Sequence, residues 1–339
     1  MLLALAACAP RARLEQARLY VFGTLVDVSA WTADPAAFAR AVGQIQADFQ
    51  RMHRQWHAWA GDGELVRLNR ALAAGRPFTV SDFLLPLLRE GQRYQRLSDG
   101  LFNPAIGRLL SLWGFQQDEP PAGPPPPPAA IDALLAARPD MDDLTIDGHR
   151  VTSRNPAVQL DLGGYAKGYA LHFALRRLRA AGLAAAIVNA GGDLCLSGHP
   201  PGRPWRIGIR DPKGQGVLAT LDLDGPDCVL TSGNYERFRE YRGVRYSHIL
   251  DPRTGRPVRH VASVTVVHPD GALADAAATA LTVAGPRDWP RIARRMGIDR
   301  VLFIDQAGHI QLTPAMAAIV HWPHGPPRDL QIVSLPDAS

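Results

Sequence analysis

The sequence has few cysteines, no long apolar run and no nucleotide-fold glycine motif, and each absence excludes a class of protein. Its three cysteines, Cys8, Cys195 and Cys228, include no closely spaced pair, which excludes a cysteine-ligated zinc site. The apolar run of residues 2–7 is too short to span a bilayer. The glycines match neither G-x-x-x-x-G-K-S/T nor G-x-G-x-x-G, so the usual phosphate loops of nucleotide-binding folds are missing.

The composition is that of a soluble globular protein. It is 46% hydrophobic and 20% charged. The length of 339 residues is enough for one large domain or two ordinary ones. The net charge of +5 comes largely from arginines scattered over helical segments, and no arginine run alternates with aromatic residues. We therefore expect these arginines to form a solvated surface, and we expect no nucleic-acid partner.

Helical patterns concentrate early in the chain and strand patterns late. Asp34 as an N-cap before Pro35 predicts a helix to about Trp59, with its aromatic residues in the core. The stretch Arg18 to Val28 alternates apolar residues and predicts one strand. Alternating segments dominate after about residue 205, so the order favours an α+β fold over a doubly wound α/β fold.

The most informative stretch runs from Gln159 to Asp193. It reads as a strand, a glycine turn, a helix, a strand and a second glycine turn. Paired glycines let the backbone approach a ligand closely, and helix N-terminal amides favour an anion. Lys167 adds a full positive charge just beyond the first glycine pair. The stretch therefore predicts an anion site, although glycine turns before helices are also common in folds that bind no phosphate.

The N-terminus resembles a bacterial lipoprotein signal. Leu5-Ala6-Ala7-Cys8 fits a segment in which the cysteine is lipidated after cleavage, although the usual positive n-region is missing. We therefore expect residues 1–18 to be a signal and tether, and the protein to be lipid-anchored on the periplasmic side of a membrane. Cys195 and Cys228 lie in apolar surroundings, where we expect buried free thiols, with a disulfide as the alternative.

Two further positions carry candidate chemistry. Asp275 and Thr279 are four residues apart in a predicted helix over 275–283, so both oxygens project from one face and suit Mg²⁺. The alternative for Asp275 is a carboxylate at the helix N-terminus that binds no metal. His248 lies at the end of a predicted strand and is a candidate base, although a histidine there is more often structural.

Taken together, the motifs resemble the ApbE family of FAD:protein FMN transferases. The resemblance covers about residues 19–315, and its blocks occur in the family's order. They are 22–24, 101–103, 112–115, 161–168, 189–193, 205–212, 231–235, 247–252 and 274–276 with Thr279.

The resemblance implies a fold and a reaction. The fold is T-fold-like, with largely antiparallel sheets packed against helices in one large two-lobed domain over 19–315, followed by a C-terminal extension over 316–339. The reaction binds FAD as substrate with Mg²⁺. A threonine or serine hydroxyl of an acceptor flavoprotein attacks the FMN-side phosphorus, and AMP leaves.

The resemblance also assigns roles to individual residues. Asp275 and Thr279 are implied metal ligands together with a backbone carbonyl near Gly164, and Asp275 and His248 are implied catalytic residues. Two departures from the family are Phe22, where many members have methionine, and Asn103-Pro104-Ala105 in place of Asp-Pro-Thr. The implied FAD contacts are Phe22, Asp62, Gly63, Glu64, Leu101, Phe102, Asn103, Asp161, Lys167 and His248.

Two other functions remain open from the sequence. In the first, water replaces the acceptor hydroxyl, which makes the protein a Mg²⁺-dependent FAD pyrophosphatase that releases FMN and AMP. In the second, the protein is a flavin-binding lipoprotein without catalytic activity. The presence of Asp275, Thr279 and His248 together argues against the second, because binding alone does not need all three.

Overall fold

A large antiparallel sheet runs through the molecule and carries helices on one face. The computed structural model describes residues 11–337 except 118, 120 and 215. Within these residues the sheet has nine strands, and every neighbouring pair is antiparallel except the last, which is parallel. In spatial order the strands are β1 (Arg13–Val21), β2 (Thr24–Thr32), β6 (Ala185–Ala190), β7 (Asp193–Ser197), β10 (Asp227–Gly233), β15 (Val261–His268), β16 (Arg300–Asp305), β17 (Ile310–Leu312) and β19 (Leu330–Ile332).

Smaller sheets and eight α-helices complete the described residues, and they confirm the expected α+β class. The smaller sheets are β18 (Val320–His321) with β9 (Val217–Leu223) and β8 (Trp205–Arg210); β3 (Phe78–Thr79) with β5 (Arg150–Ser153) and β4 (Leu144–Asp147); β11 (Phe238–Tyr241) with β12 (Val244–Ser247); and β13 (Leu250–Asp251) with β14 (Arg256–Pro257). The helices are α1 (Pro35–Trp56), α2 (Glu64–Ala73), α3 (Leu85–Leu97), α4 (Gly107–Leu112), α5 (Pro128–Ala136), α6 (Ala166–Ala180), α7 (Gly271–Met296) and α8 (Pro314–Ala317), with a 3-10 turn at Met141–Asp143.

The two faces of the large sheet bury different clusters. On β7, Cys195 points into the main core beneath the helices, while Leu194 and Leu196 point into a second core. The second core lies against the small sheet of β8, β9 and β18. Side chains of a strand alternate between faces, so β7 separates the two cores, and its odd-numbered side chains face the helices.

The first predicted strand is wrong in one respect, because the chain turns within it. Residues 18–28 belong to two strands, β1 and β2, which pair directly with Val21 opposite Thr24. Phe22 and Gly23 form the two-residue turn, with φ of 57° and 71°. Two successive positive φ angles match the twist of a tight hairpin. The turn places the Phe22 ring at the end of the sheet rather than in its middle.

The helix predicted over 275–283 is confirmed and is longer than expected. It begins at Gly271 with Asp270 as N-cap, and it is broken at Gly285, where φ is 77° and ψ is 179°. The start of α7 packs closely against the start of α6. A Cβ on Gly168 would lie 2.0 Å from the Gly271 carbonyl oxygen, so only glycine permits this approach. The contact fixes how α7 faces the turn before α6.

Cys195 and Cys228 form a disulfide, so the expectation of free thiols is wrong. The two residues are direct partners in the register between β7 and β10, with a Cα–Cα distance of 3.9 Å. A Cβ on Gly271 would lie 3.0 Å and 3.1 Å from their two sulfur atoms. The disulfide therefore lies directly beneath the first turn of α7.

The strands extend beyond the domain limits of 19 and 315 that the sequence predicts. β1 begins at Arg13, and β19 pairs with β17 in the large sheet. β18 pairs with β9 in the small sheet. None of the helices in the described residues is long and apolar enough to cross a membrane. Cys8 and the predicted signal around it lie outside the residues that the structure describes.

Candidate functional site

A cleft of about 670 Å³ collects most of the predicted site residues. Its walls are the turn of the β1–β2 hairpin, the C-terminal end of α1, the segment before α4, the glycine turn before α6 and the loop before β13. We call it the central cleft. Among the residues that line it are the predicted Phe22, Leu101, Phe102, Asn103, Asp161, Gly164, Lys167, His248 and Thr279.

Asp161 braces the glycine turn from within. Its Oδ1 accepts a hydrogen bond from Gly163 N at 2.9 Å, and its Oδ2 accepts one from Gln116 Nε2 at 2.9 Å. A Cβ on Gly164 would lie 2.9 Å from the Phe102 ring, so the turn fits against this ring as glycine. Asp161 therefore holds the shape of a turn whose backbone lines the cleft.

Asp275 is a buried carboxylate inside α7, not the capping residue. The cap is Asp270, whose Oδ1 accepts hydrogen bonds from Ala272 N and Leu273 N. Asp275 is 8% exposed, and its Oδ2 accepts a hydrogen bond from Gly168 N at 2.9 Å. Gly168 is the third residue of α6, so the Asp275 carboxylate satisfies a backbone amide in the first turn of that helix. Asp275 is the fifth residue of α7 and therefore does not lie at the N-terminus of its own helix.

The oxygens around Thr279 form a set that suits a hard divalent cation. Thr279 Oγ1 lies 3.3 Å from Ser232 Oγ, and a Cβ on Gly164 would lie 3.8 Å from the same threonine oxygen. Among the described residues, no group of three or more His, Cys, Asp or Glu side chains is arranged to hold a metal. One carboxylate from Asp275 plus neutral oxygens fits Mg²⁺, which keeps waters and binds substrate phosphate oxygens.

Asp275, Lys167 and Asp193 influence one another's pKa values. Burial raises the pKa of Asp275 well above its usual value, Lys167 opposes the shift, and Asp193 adds to it. Burial alone would lower the pKa of Lys167, but the carboxylates of Asp193 and Asp275 outweigh it and raise that pKa. The lysine therefore stays charged, whereas burial favours the neutral form of Asp275, and a cation bound beside this carboxyl group would favour its charged form.

Asp193 is a functional-site residue to which the sequence assigned no role. Its Oδ2 forms an ion pair with Lys167 Nζ, and its Oδ1 accepts a hydrogen bond from Thr231 N at 2.8 Å. The Asp193 side chain is 5% exposed and that of Lys167 33%. Asp193 therefore holds the lysine at the edge of the cleft. The second glycine turn drew attention to this segment, but the contact itself depends on tertiary packing.

His248 is held as a neutral imidazole with a defined tautomer. Its Nδ1 lies 2.9 Å from the backbone oxygen of Arg237. A carbonyl only accepts hydrogen bonds, so Nδ1 carries the proton and Nε2 keeps a lone pair. Burial lowers the pKa of His248 to about 4. The side chain is thus unprotonated at neutral pH, which is the state that a general base requires.

The residues before α4 form another wall of the cleft. Leu101 and Phe102 are buried, each at 4% exposure. Asn103 uses its side chain within the chain: its Nδ2 donates to Pro139 O, and its Oδ1 accepts from Ala105 N. Asn103 therefore lines the cleft as part of a turn that it stabilises itself.

The structure does not bring Asp62, Gly63 and Glu64 into the central cleft. The Glu64 carboxylate is buried and accepts hydrogen bonds from the backbone nitrogen and the hydroxyl of Ser81, both at 2.6 Å. Asp62 is exposed and pairs with Arg70 at 3.1 Å. The flavin contacts that the resemblance implied for these three residues have no support in this placement.

Trp59 packs against the main core, as expected, and also lines the central cleft. The helix α1 ends at Trp56, and Trp56 is 7% exposed, as expected of a core residue. Trp59 follows the helix, is half-buried, and lines the central cleft. The sequence predicted the helix three residues too long, which is within the usual error of a helix end predicted from sequence. The role of Trp59 in lining the cleft was not predicted.

Comparisons with known proteins agree with this geometry. Residues 22–302 match the ApbE family model. The chain is 49% identical over 318 residues to the FAD:protein FMN transferase of Rhodobacter capsulatus; the match covers 94% of this chain and 60% of that protein's length. It is 36% identical over 322 residues to the FAD:protein FMN transferase of Treponema pallidum, covering 88% of this chain and 86% of that protein.

Solved structures show the same fold. The ApbE protein of Thermotoga maritima superposes with a TM-score of 0.82 at 31% identity, covering 91% of this chain and 99% of that chain. The apo form of the Pseudomonas stutzeri flavinyl transferase ApbE gives a TM-score of 0.81 at 32% identity, covering 93% and 99%. The family model spans more than half of this chain, and the curated relatives agree with it. This chain belongs to the ApbE family.

Proposed function

We propose that this chain is a FAD:protein FMN transferase that requires Mg²⁺. The observation that carries the proposal is that Thr279, the Gly164 turn and His248 line the central cleft, with the buried Asp275 one helical turn before Thr279 on α7. We call Thr279, the Gly164 turn and Asp275 the phosphate end. The names of the relatives in Rhodobacter capsulatus and Treponema pallidum support the same activity.

The side chain of His248 is suited to take the proton of the acceptor hydroxyl. Its Nε2 keeps the lone pair, because Nδ1 donates to the Arg237 carbonyl. The hydroxyl oxygen of a threonine or serine then forms a bond to the FMN-side phosphorus, and the bond from that phosphorus to the bridging oxygen of AMP breaks. The proton moves to Nε2, and AMP leaves with the electrons of the broken bond.

Charge at the pyrophosphate is neutralised from the phosphate end. Lys167 remains protonated beside Asp193 and offers a fixed positive charge. The glycine turn before α6 brings backbone close to the ligand, and Asp161 keeps that turn in shape. Mg²⁺ bound by Asp275, Thr279 and a carbonyl near Gly164 would polarise the phosphate oxygens. Phosphoryl transfer depends mainly on such positioning and charge neutralisation.

One assay separates this function from its alternatives. The purified protein is incubated with FAD, Mg²⁺ and a flavoprotein acceptor, and both the acceptor mass and the released AMP are measured. Transfer predicts an acceptor heavier by one FMN, with AMP released in equal amount. AMP without a mass change would indicate a pyrophosphatase, and neither product would indicate a protein that only binds flavin.

We also propose that the mature protein is lipidated at Cys8 and faces the periplasm. The Leu5-Ala6-Ala7-Cys8 segment supports the lipid, and the disulfide between Cys195 and Cys228 supports an oxidising compartment. The acceptor would then be a flavoprotein domain exposed on the same side of the membrane. Membrane fractionation of Cys8→Ala tests the anchor, and equal membrane association of the variant and the parent would contradict it.

A further inference from the structure

Arg239, on β11, is a buried arginine that has no role in the steps described so far. It is 5% exposed, and among the residues that the structure describes no carboxylate forms an ion pair with it. A buried charge without a counter-charge is costly unless hydrogen bonds satisfy it. The position of this guanidinium therefore depends on the hydrogen bonds that it donates.

The hydrogen bonds of Arg239 join β11 to the connection between α4 and α5. Its Nη1 donates to Trp113 O at 3.0 Å, and its Nη2 donates to Gly123 O and Pro124 O, both at 2.9 Å. Trp113 directly follows α4, whereas Gly123 and Pro124 lie shortly before α5. One side chain therefore holds the beginning and the later part of the connection against the same strand.

Two further contacts make the α4–α5 connection compact. Arg237, directly before β11, donates from its Nη2 to Gln117 O. Within the connection, a Cβ on Gly114 would lie 2.5 Å from the ring of Pro121, so glycine is needed for this close approach. The connection is thus packed on itself and bonded to the region of β11 near its beginning, in its middle and near its end.

The α4–α5 connection and β11 both contact His248. The backbone oxygen of Arg237 accepts hydrogen bonds from the backbone nitrogen of His248 at 3.0 Å and from its Nδ1 at 2.9 Å. The ring of Phe115, in the connection, lies edge-on to the imidazole with the two centroids 6.4 Å apart. Phe115 is 3% exposed. The surroundings of the imidazole therefore depend on how the connection sits against β11.

We propose that Arg239 is a positioning residue for His248, because it fixes the α4–α5 connection against β11 and so keeps the imidazole between Phe115 and the Arg237 carbonyl. The inference rests on the proposed function, in which His248 is the base. Arg239 does not line the central cleft, so it acts through His248 and not on the substrate.

The test uses two substitutions of Arg239 and a matched control. Arg239→Met removes the charge and all the donors but keeps an unbranched side chain that packs in a core. Arg239→Lys keeps the charge and donates to fewer carbonyls. Arg245→Met is the control, because Arg245 lies on the same hairpin, is exposed, and pairs with Glu240 on the neighbouring strand. Melting temperatures report whether each variant is folded, and Arg239→Lys gives the same measurements if Arg239→Met does not fold.

The first measurement is the transfer rate with FAD and Mg²⁺ saturating. Arg239→Met should slow transfer by about tenfold to a hundredfold, because a small misplacement of a reacting group costs that much. Arg239→Lys should lose less, and FAD affinity should change by less than about threefold. A double variant with His248→Ala should be no slower than His248→Ala alone, since Arg239 acts through that side chain, whereas independent contributions would multiply.

The second measurement is an NMR titration of the His248 imidazole, whose signal is identified by its absence in His248→Ala. Burial lowers the pKa of His248 to about 4, and the charges of Arg237 and Lys167 add to this effect. In Arg239→Met, water should reach the ring, so the midpoint should rise by about one pH unit toward 6.5. A smaller rise in Arg239→Lys, which keeps the positive charge, would come from the lost packing. Arg245→Met should titrate as the wild type does.

Two results would overturn the proposal. One is a folded Arg239→Met protein with the transfer rate and the His248 midpoint of the wild type. The other is a double variant in which the two losses multiply, which would mean that Arg239 acts independently of the base. The NMR result is distinct from that of the transfer assay. A protein that transfers no FMN, but whose His248 midpoint rises in Arg239→Met, would refute the proposed function and support the positioning role.

Discussion

The two ends of the central cleft are built on different principles. At the phosphate end, Asp275 and Asp193 are buried, their carboxylates accept hydrogen bonds from backbone amides, and Lys167 forms an ion pair with Asp193. In another part of the cleft, the rings of Phe22, His53, His57 and Trp59 are in contact in that order and His53 is exposed; we call these four residues the ring end. Charge that develops in a transition state is best stabilised by groups already in place, whereas ring binding tolerates movement. The difference predicts large effects at one end and modest effects at the other.

The largest effect is expected at Asp275. Asp275→Asn retains an oxygen that can accept from Gly168 N but removes the charge for the metal, so transfer should fall by about a hundredfold to a thousandfold. Asp275→Ala should give a similar loss with the fold intact, and Thr279→Ala a smaller one, because water can replace a neutral oxygen. Initial rates of AMP release measure the effect. A folded Asp275→Asn protein with a near-normal transfer rate would contradict the proposal that Asp275 binds the metal.

The next effect is expected at His248. His248→Ala should slow transfer by about a hundredfold, because a base at the attacking hydroxyl contributes that much. Metal-dependent FAD binding should persist, since the side chain is not a proposed ligand. Single-turnover experiments measure the transfer step, and FAD titrations measure binding. Equal losses in rate and in FAD affinity would indicate that the histidine shapes the cleft instead of moving a proton.

The pKa of His248 sets the pH dependence of this step. Its pKa in the folded protein, about 4, lies below the ordinary histidine value of 6.5, so the neutral form persists as pH falls below 6.5. With FAD and Mg²⁺ saturating, the transfer rate should stay level down to about pH 5 and fall as the imidazole is protonated near pH 4. A decline centred near pH 6.5 in the wild type, absent in His248→Ala, would contradict the lowered value.

The disulfide should affect stability more than chemistry. It joins residues 33 positions apart, and removing such a crosslink typically costs about 2–4 kcal/mol of unfolding free energy. The double variant Cys195→Ser with Cys228→Ser should therefore melt earlier, yet its transfer rate should change by less than about threefold, because α7 is also held by the Gly168 contact. Calorimetry measures the melting temperature, and AMP release measures the transfer rate. A hundredfold loss of transfer rate in a folded variant would contradict this prediction and would show that the disulfide is needed to position the phosphate end.

The sequence predicted the local parts of this site and missed the non-local ones. The spacing of Asp275 and Thr279 places both on one helix face, which is a property of the helix alone. Two other contacts depend on which strands become neighbours: the ion pair of Lys167 with Asp193 and the disulfide. A local sequence pattern does not specify which distant strands pair. The placement of Glu64 was missed for the same reason, because its partner, Ser81, follows strand β3 and is 17 residues away in the chain.

The end of α1 shows a second kind of error. The pattern of α1 was recognised, and its N-cap Asp34 accepts a hydrogen bond from Ala37 N as expected. Its end was predicted three residues too late. Each residue of a helix turns the direction of the side chain by about 100°, because a helix has 3.6 residues per turn, so a misplaced helix end changes the predicted direction of the side chains there. Helix starts carry capping signals, whereas this end has no C-cap glycine.

The most direct test of the account is a crossed titration of the two ends. Riboflavin and ADP with Mg²⁺ are each titrated into the wild type, Asp275→Asn and Trp59→Leu. The account predicts that Asp275→Asn weakens only ADP binding, and that Trp59→Leu weakens riboflavin binding about fivefold to tenfold while leaving ADP binding unchanged. Folded variants in which each substitution weakens both ligands equally would contradict the division of the cleft into a phosphate end and a ring end.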